Sequence, residues 1–177
     1  MASRDPKLLT PETFERWQQV DRVYTEAGLD LLTYCTLRSL DEQNRLYRGS
    51  RSWKQIKVKM QKFRNRGFGF LADAMERIGP CSGKHRTNAA GGEGLHSYGL
   101  AFDSAPIVDG KVAWSYKAAK EHWDAYGEAV RLSGLTWGGD WTRFKDRPHA
   151  QLGKGGNPLK IYTPDQVHEM LTATKQL

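Results

Sequence analysis

A carboxylate stands where the chain otherwise asks for burial. Asp103 lies inside Leu100-Ala101-Phe102-Asp103-Ser104-Ala105-Pro106-Ile107, a segment whose composition predicts the interior of a sheet. Buried alone, that carboxylate would be costly and would tend to take up a proton; a cation beside it removes the penalty. His96 comes seven residues earlier, followed by Ser97-Tyr98-Gly99, where the glycine permits a tight turn. A histidine on the turn and an aspartate on the following strand can converge on one point, as two ligands of a metal site. A third ligand is available in Asp146-Arg147-Pro148-His149. Pro148 disfavours a helical conformation at Arg147, so this segment should be extended and lead His149 into a strand. Two histidines and one carboxylate with a fourth position open to water form a common catalytic zinc arrangement. Asp146, three residues before His149, is placed to act as a general base rather than as a ligand. Spacing alone leaves open whether His96, Asp103 and His149 bind a metal or are satisfied within the core. His85, in a glycine-rich loop, is the competing ligand, whereas His122 and His168 sit among charged residues of predicted helices.

Composition narrows the setting. At 177 residues the chain predicts a single domain, residues 1–177, with one hydrophobic core. The unbroken apolar runs are only a few residues long, too short for a membrane-spanning helix. Six Trp and seven Tyr argue against intrinsic disorder. The 27 basic and 20 acidic residues give a net charge of +7, which suggests a polyanionic partner: nucleic acid, a membrane surface or a bacterial cell wall. Met1-Ala2-Ser3-Arg4-Asp5-Pro6-Lys7 has no apolar segment behind it, so no secretory signal is expected and synthesis is expected in a cytoplasm. Cys35 and Cys81 are too few for a disulfide framework and lack a metal-knuckle spacing. Cys35 reads as a small core hydrophobe, and a Cys35–Cys81 bridge is not expected.

Along the chain, Thr10-Pro11-Glu12 opens a helix with a capping threonine, a proline in the first turn and an acid at the positive end of the dipole. Phe14, Trp17, Val20, Val23, Tyr24 and Ala27 continue it at three- and four-residue spacing, and Gly28 closes it. Leu31 to Leu37 reads as a strand and Asp41 to Tyr47 as a helix capped by Ser39. From Gln43 to Ala72 there are nine basic residues and no acid, interrupted by Trp53, Ile56 and Phe63. Ser82 to Gly94 is loop-like. Leu100 to Val112 reads as a hairpin turning at Asp109-Gly110. Lys117 to Leu132 reads as a helix, Leu135–Trp137 and His149–Leu152 as short strands, and Thr163-Pro164-Asp165 as the start of a last helix.

Gly94-Leu95-His96-Ser97-Tyr98-Gly99-Leu100-Ala101-Phe102-Asp103 resembles the Ser-x-His-x-x-Gly-x-Ala-x-Asp motif of zinc peptidases of the M15 family. That family includes D-Ala-D-Ala dipeptidases and carboxypeptidases, and phage endolysins acting as L-alanyl-D-glutamate peptidases. Trp137-Gly138-Gly139-Asp140-Trp141, followed by Phe144, Asp146 and Pro148-His149, looks most like the endolysin branch. Leu37-Arg38-Ser39, then Glu42-Gln43 and Leu46-Tyr47, resembles the family's Tyr-Arg-Ser segment and the helix after it. The resemblance runs from about residue 30 to 152, and three matching segments in order are specific. One departure is Gly94, where the family motif has serine.

The resemblance implies an α+β fold of the hedgehog/D,D-peptidase kind, with a small, mostly antiparallel sheet carrying the zinc site and helices packed against it. It implies Zn2+ on His96, Asp103 and His149, with Asp146 as catalytic base and Arg38 stabilising the carbonyl oxygen of the scissile bond. A fixed guanidinium aimed at a developing oxyanion helps only where charge appears. The expected activity is cleavage of a peptidoglycan stem-peptide bond, the L-Ala–D-Glu bond implied by the endolysin branch, in an enzyme made in the host cytoplasm and released to the wall. A D,D- or L,D-carboxypeptidase would share every metal residue, and a secreted antibacterial effector would share the chemistry. A wall- or nucleic-acid-binding module is the remote alternative, since it leaves Asp103 without a purpose. The expected partners are stem peptides and, through the basic segment 45–66, an anionic wall or outer-membrane surface; a monomer with no specific nucleic-acid partner is expected.

Overall fold

Thr10 and Pro11 open the first helix of the computed structural model, α1 (Pro11–Glu26), with the Thr10 side chain accepting from the Thr13 amide. Residues 3–177 are described, and they group into two compact units. The first comprises residues 3–37 together with Gly99–Lys154; the second comprises Arg38–Tyr98 and Gly155–Leu177.

The first unit is built on an antiparallel sheet. Strand β1 (Asp30–Cys35) pairs with β2 (Ala101–Val108), from Asp30 opposite Ile107 to Cys35 opposite Asp103, with an irregularity between Thr33 and Cys35. The other edge of β2 takes both β3 (Lys111–Val112) and β5 (His149–Gln151), and β5 pairs with β4 (Thr136–Trp137). The β2–β3 turn is Asp109-Gly110, both at positive φ (50° and 72°), as expected of a two-residue hairpin turn. Helix α5 (Lys120–Leu132) begins later than the sequence predicts because residues 116–118 form a turn instead.

The core joins α1, α5 and the sheet. Val20 and Tyr24 from α1, Trp123, Tyr126 and Val130 from α5, and Phe102, Trp137 and Ala150 from the strands form one buried cluster. A polar chain stitches the layers: Trp17 Nε1 donates to Thr33 Oγ1 at 2.9 Å, and Thr33 Oγ1 lies 2.9 Å from Ser104 Oγ. The expected α+β architecture, a small antiparallel sheet with flanking helices, is the one observed.

The second unit is helical: α2 (Leu40–Arg48), α3 (Trp53–Asn65), α4 (Gly69–Arg77) and α6 (Pro164–Ala173), with a 3-10 turn at Leu95–Tyr98. Ser39 caps α2, while Ser52 with Gln55 and Thr163 with Gln166 form capping boxes on α3 and α6. The basic run therefore lies largely on helix. In α3, Ile56, Met60 and Phe63 are buried at four- and three-residue spacing, and Lys54, Lys57 and Lys62 stay exposed. No helix among the described residues is long and apolar enough to cross a membrane.

Candidate active site

The sheet unit delivers Asp103 and His149 as direct partners. They are opposite residues of the β2–β5 ladder, and both are more than nine-tenths buried. His149 Nδ1 lies 3.1 Å from Asp103 Oδ1, and His149 Nε2 lies 3.1 Å from Gln151 Oε1. Two donors each about 2.0–2.2 Å from a tetrahedral zinc ion would be about 3.3–3.6 Å apart, so this imidazole–carboxylate pair fits two corners of such a site with little movement. On the other side of Asp103 stands Cys35, opposite it across β1–β2, with Sγ within 4.8 Å of a carboxylate oxygen. Cys35 and Cys81 are both free thiols. The sequence marks Cys35 only as a small core residue; the cross-strand register is what gives it a carboxylate neighbour.

The segment leading into His149 is fixed by its backbone. The Asp146 amide donates to Gly138 O at 3.0 Å, and the His149 amide donates to Asp146 O at 3.1 Å. A Cβ on Gly138 would lie 2.3 Å from Asp146 O, so this close approach requires glycine there. Trp137 Nε1 donates to Arg147 O at 2.7 Å, and Pro148 O accepts from both the Ser104 amide (3.0 Å) and the Tyr126 hydroxyl (2.9 Å). Burial pushes the Tyr126 phenol well above its ordinary range; the Ser104 hydrogen bond opposes the shift, and negative charge on Asp103 adds to it. Tyr126 thus remains a proton donor to the residue before His149. The Trp141 ring lies 5.2 Å from the His149 imidazole. Asp146 is partly exposed at the head of this turn.

The helical unit holds the other two predicted residues, Arg38 and His96. The Arg38 amide donates to His96 O at 3.2 Å, joining the residue before the α2 cap to the 3-10 turn. Arg38 Nη1 donates to Gln43 Oε1 at 3.1 Å, and Gln43 Nε2 donates onward to Ala89 O at 2.6 Å. His96 is buried, and its turn is anchored by Tyr98 Oη donating to Gly92 O at 2.7 Å and by Thr174 Oγ1 donating to Ser97 O at 3.2 Å. Gly94 has open space where a Cβ would go, so packing does not impose glycine at that departure from the motif.

The remaining histidines have other settings. His85 is exposed, with Nε2 2.9 Å from Asn88 Oδ1; His168 packs edge-on to Phe70 with ring centroids 5.1 Å apart; His122 lies on α5 and lends its carbonyl to Tyr24. Gln43 and Tyr126 are supporting residues whose roles the sequence does not announce. A polar residue beside a helix cap and a tyrosine amid core positions are their only signals.

A family model described as D-alanyl-D-alanine carboxypeptidase, of the M15 peptidases, matches residues 87–152. The peptidoglycan L-alanyl-D-glutamate endopeptidase CwlK of Bacillus subtilis is 31% identical over 153 residues, covering 83% of this chain and 75% of the relative. The crystal structure of the L-Ala D-Glu endopeptidase ChiX of Serratia marcescens aligns over 86% of this chain and 89% of its own, at 18% identity and a TM-score of 0.45.

Proposed function

Since the chain belongs to the M15 peptidase family, we propose that it is a zinc-dependent hydrolase that cuts the L-Ala–D-Glu bond of peptidoglycan stem peptides. The buried Asp103–His149 pair carries this reading: its donor set is of the kind catalytic zinc uses, on the strands where the family motif falls. His96 completes the set in this proposal, on the strength of the motif and its seven-residue spacing from Asp103. We take residues 1–177 as one peptidase domain, a reading supported by the relative's match over 153 residues, and propose that it acts as a monomer.

A bound zinc ion supplies Lewis-acid activation of the scissile carbonyl and of the attacking water. Asp146 takes the proton from that water and returns it to the leaving amine, so one carboxylate serves as base and then as acid. Arg38 offers its guanidinium to the developing oxyanion, held in aim by Gln43. Tyr126 and Ser104 keep the Pro148 carbonyl, and hence the start of β5, in place.

The similarity of Trp137–Trp141 to the endolysin branch supports endolysin action: synthesis in a host cytoplasm, then release to the wall. Exposed Lys54, Lys57 and Lys62 would draw the enzyme to an anionic wall surface. A second reading comes from the matching family model, whose description is a D-alanyl-D-alanine carboxypeptidase. Mass spectrometry of peptidoglycan digests, with and without chelator, separates the two. Chelator-sensitive fragments with a new N-terminal D-Glu are expected; released D-Ala would favour the carboxypeptidase, and digestion unaffected by chelator would remove zinc from the reaction.

A further inference from the structure

The proposed mechanism makes no use of Cys35, although the sheet sets it against Asp103. In β1, Thr33 stands opposite Ser104, and an unbroken ladder would place Tyr34 opposite Asp103. The register shift after Thr33 puts Cys35 there instead, as a β-bulge does when it re-aims a side chain beside an active site. Opposite residues of a ladder present their side chains to the same face of a sheet. β1, β2 and β5 are neighbours in that order, so Cys35, Asp103 and His149 form one cross-strand row within the sheet unit: thiol, carboxylate, imidazole. All three are buried, at 1%, 7% and 8% exposure.

Distance and charge both suit a shared ion. Cys35 Sγ lies within 4.8 Å of an Asp103 carboxylate oxygen, and His149 Nδ1 lies 3.1 Å from Asp103 Oδ1. Around a tetrahedral zinc ion, a thiolate at ~2.3 Å and a carboxylate oxygen at ~2.0–2.2 Å would be about 3.6 Å apart, so the sulfur reaches the ion with a shift of no more than about 1.2 Å. A divalent cation held by Asp103 and neutral histidines keeps one uncompensated positive charge, which is costly away from water. A thiolate cancels it, with two negative ligands against two positive charges.

We propose that Cys35 is a further ligand of this metal: its thiolate fills the coordination position otherwise open to water, closes the site at rest, and leaves the ion when substrate enters. The proposal rests on the reading of Asp103 and His149 as metal ligands. On coordination the S–H bond breaks, a sulfur–metal bond forms and the proton passes to solvent. Together with His96, as proposed, the ion then has four protein ligands, the closed coordination of a structural site, whereas catalysis needs a position open. Cys35 is thus a latch on the metal that competes with substrate.

Cobalt(II) is the probe, because sulfur bound to it gives an intense charge-transfer absorption in the near ultraviolet, while its weaker visible bands report that the ion is bound at all. The full-length protein, stripped of metal and loaded with one equivalent of cobalt, should show both. Cys35→Ala should keep the visible bands and lose the near-ultraviolet one, and Cys81→Ala should keep both. With zinc, Cys35→Ala should give up the ion to a chelator about tenfold faster or more. It should also lower KM for a soluble muropeptide several-fold with kcat kept, since the fraction of enzyme closed by the thiolate is gone. Visible bands without the near-ultraviolet band in the wild type, a near-ultraviolet band that survives Cys35→Ala, or one that depends on Cys81 would each overturn ligation by Cys35. An unchanged KM would overturn the latch. The wild-type spectrum tests ligation even if the variant is unstable. A wild-type protein that takes up neither cobalt nor zinc would overturn the metal reading along with the proposal, whereas failure of the peptidase reading shows as protein that binds cobalt through sulfur yet leaves muropeptides uncut.

Discussion

The sheet unit and the helical unit hold the side chains proposed for catalysis by different means. Asp103 and His149 are opposite residues of one antiparallel ladder, so backbone hydrogen bonds set their spacing. Arg38 and His96 lie at the edges of elements, one just before a helix cap and the other in a 3-10 turn, joined by a single main-chain hydrogen bond. Groups on rigid strands keep their geometry, while groups on caps and loops come from the less stable end of a structure and can adjust to a ligand. A metallopeptidase has use for both: ligands of fixed spacing for the ion, and adjustable donors for a substrate that changes shape during the reaction.

The ladder half should fail hardest when broken. His149→Ala removes one donor from a buried pair, and the purified variant is expected to lose both zinc and hydrolysis, measured by metal analysis and muropeptide cleavage. Full zinc retention would transfer the ligand role to another residue, with His85 the first to test. Asp146→Asn separates chemistry from metal binding within the same unit. It should keep zinc while turnover falls by about 10²–10⁴-fold, the usual range for removing a general acid–base. Near-normal turnover would turn attention to Asp140 or Glu93 as the base.

The helical half should give a smaller loss. Arg38→Ala is expected to fold, to bind zinc and to lower kcat by about 10²–10³-fold, as for removal of one oxyanion donor. Loss of zinc in that variant would mean that Arg38 acts through the His96 turn, to which its amide is bonded, rather than on substrate.

The two units also differ in how much of them the sequence makes legible. In the sheet unit, turn chemistry and burial agree: Asp109-Gly110 marks the hairpin, Pro148 marks the extended entry to His149, and the anomaly of Asp103 marks the site. In the helical unit, lysines and arginines fill the exposed positions of α3 so densely that its Ile56–Met60–Phe63 stripe reads as interruptions of a charge run. Contacts made only in three dimensions stay hidden in both. Nothing local announces Cys35 opposite Asp103, Tyr126 on the Pro148 carbonyl, or Gln43 between Arg38 and Ala89. Nor does the run of nine cations announce that Lys59 meets Glu93 at 2.6 Å, or that Arg64 meets Asp73 at 2.8 Å and Glu76 at 3.1 Å.

Alkaline pH tests the packing of the sheet unit more gently. Burial, with Asp30 adding to it, pushes the Tyr24 phenol up to about 12, against an unfolded value near 10. A raised folded value means that the stabilisation is fully present below pH 10 and is lost as pH rises from there through about 12, because the unfolded chain gives up its proton first. Denaturant unfolding should therefore show stability falling by ~1–3 kcal/mol per such tyrosine over that window. Tyr24→Phe should flatten part of the decline, and an unchanged slope would place the loss in Tyr98 or Tyr126, whose phenols burial also raises.

The smallest effect is expected on the outer face of α3. Pairing with Glu93, Asp73 and Glu76 removes Lys59 and Arg64 from any long-range field, and Arg48 is buried against the Met75 carbonyl. Lys54, Lys57 and Lys62 remain exposed, and no ion pair among the described residues engages them. Charges of this kind act over about 8 Å at physiological salt, enough to hold an enzyme near a polyanionic wall but too weak to alter a reaction at a buried site. Reversing the three to glutamate should therefore slow lysis of whole walls several-fold at low salt, with the difference shrinking as salt rises. Zinc content and the rate on a soluble muropeptide should stay near wild type, since in the proposed mechanism those depend on the ladder and on the Arg38 turn. If walls and soluble substrate respond in parallel, these lysines belong to the substrate path, and the division of labour between a rigid metal half and an adjustable substrate half extends to the surface of α3.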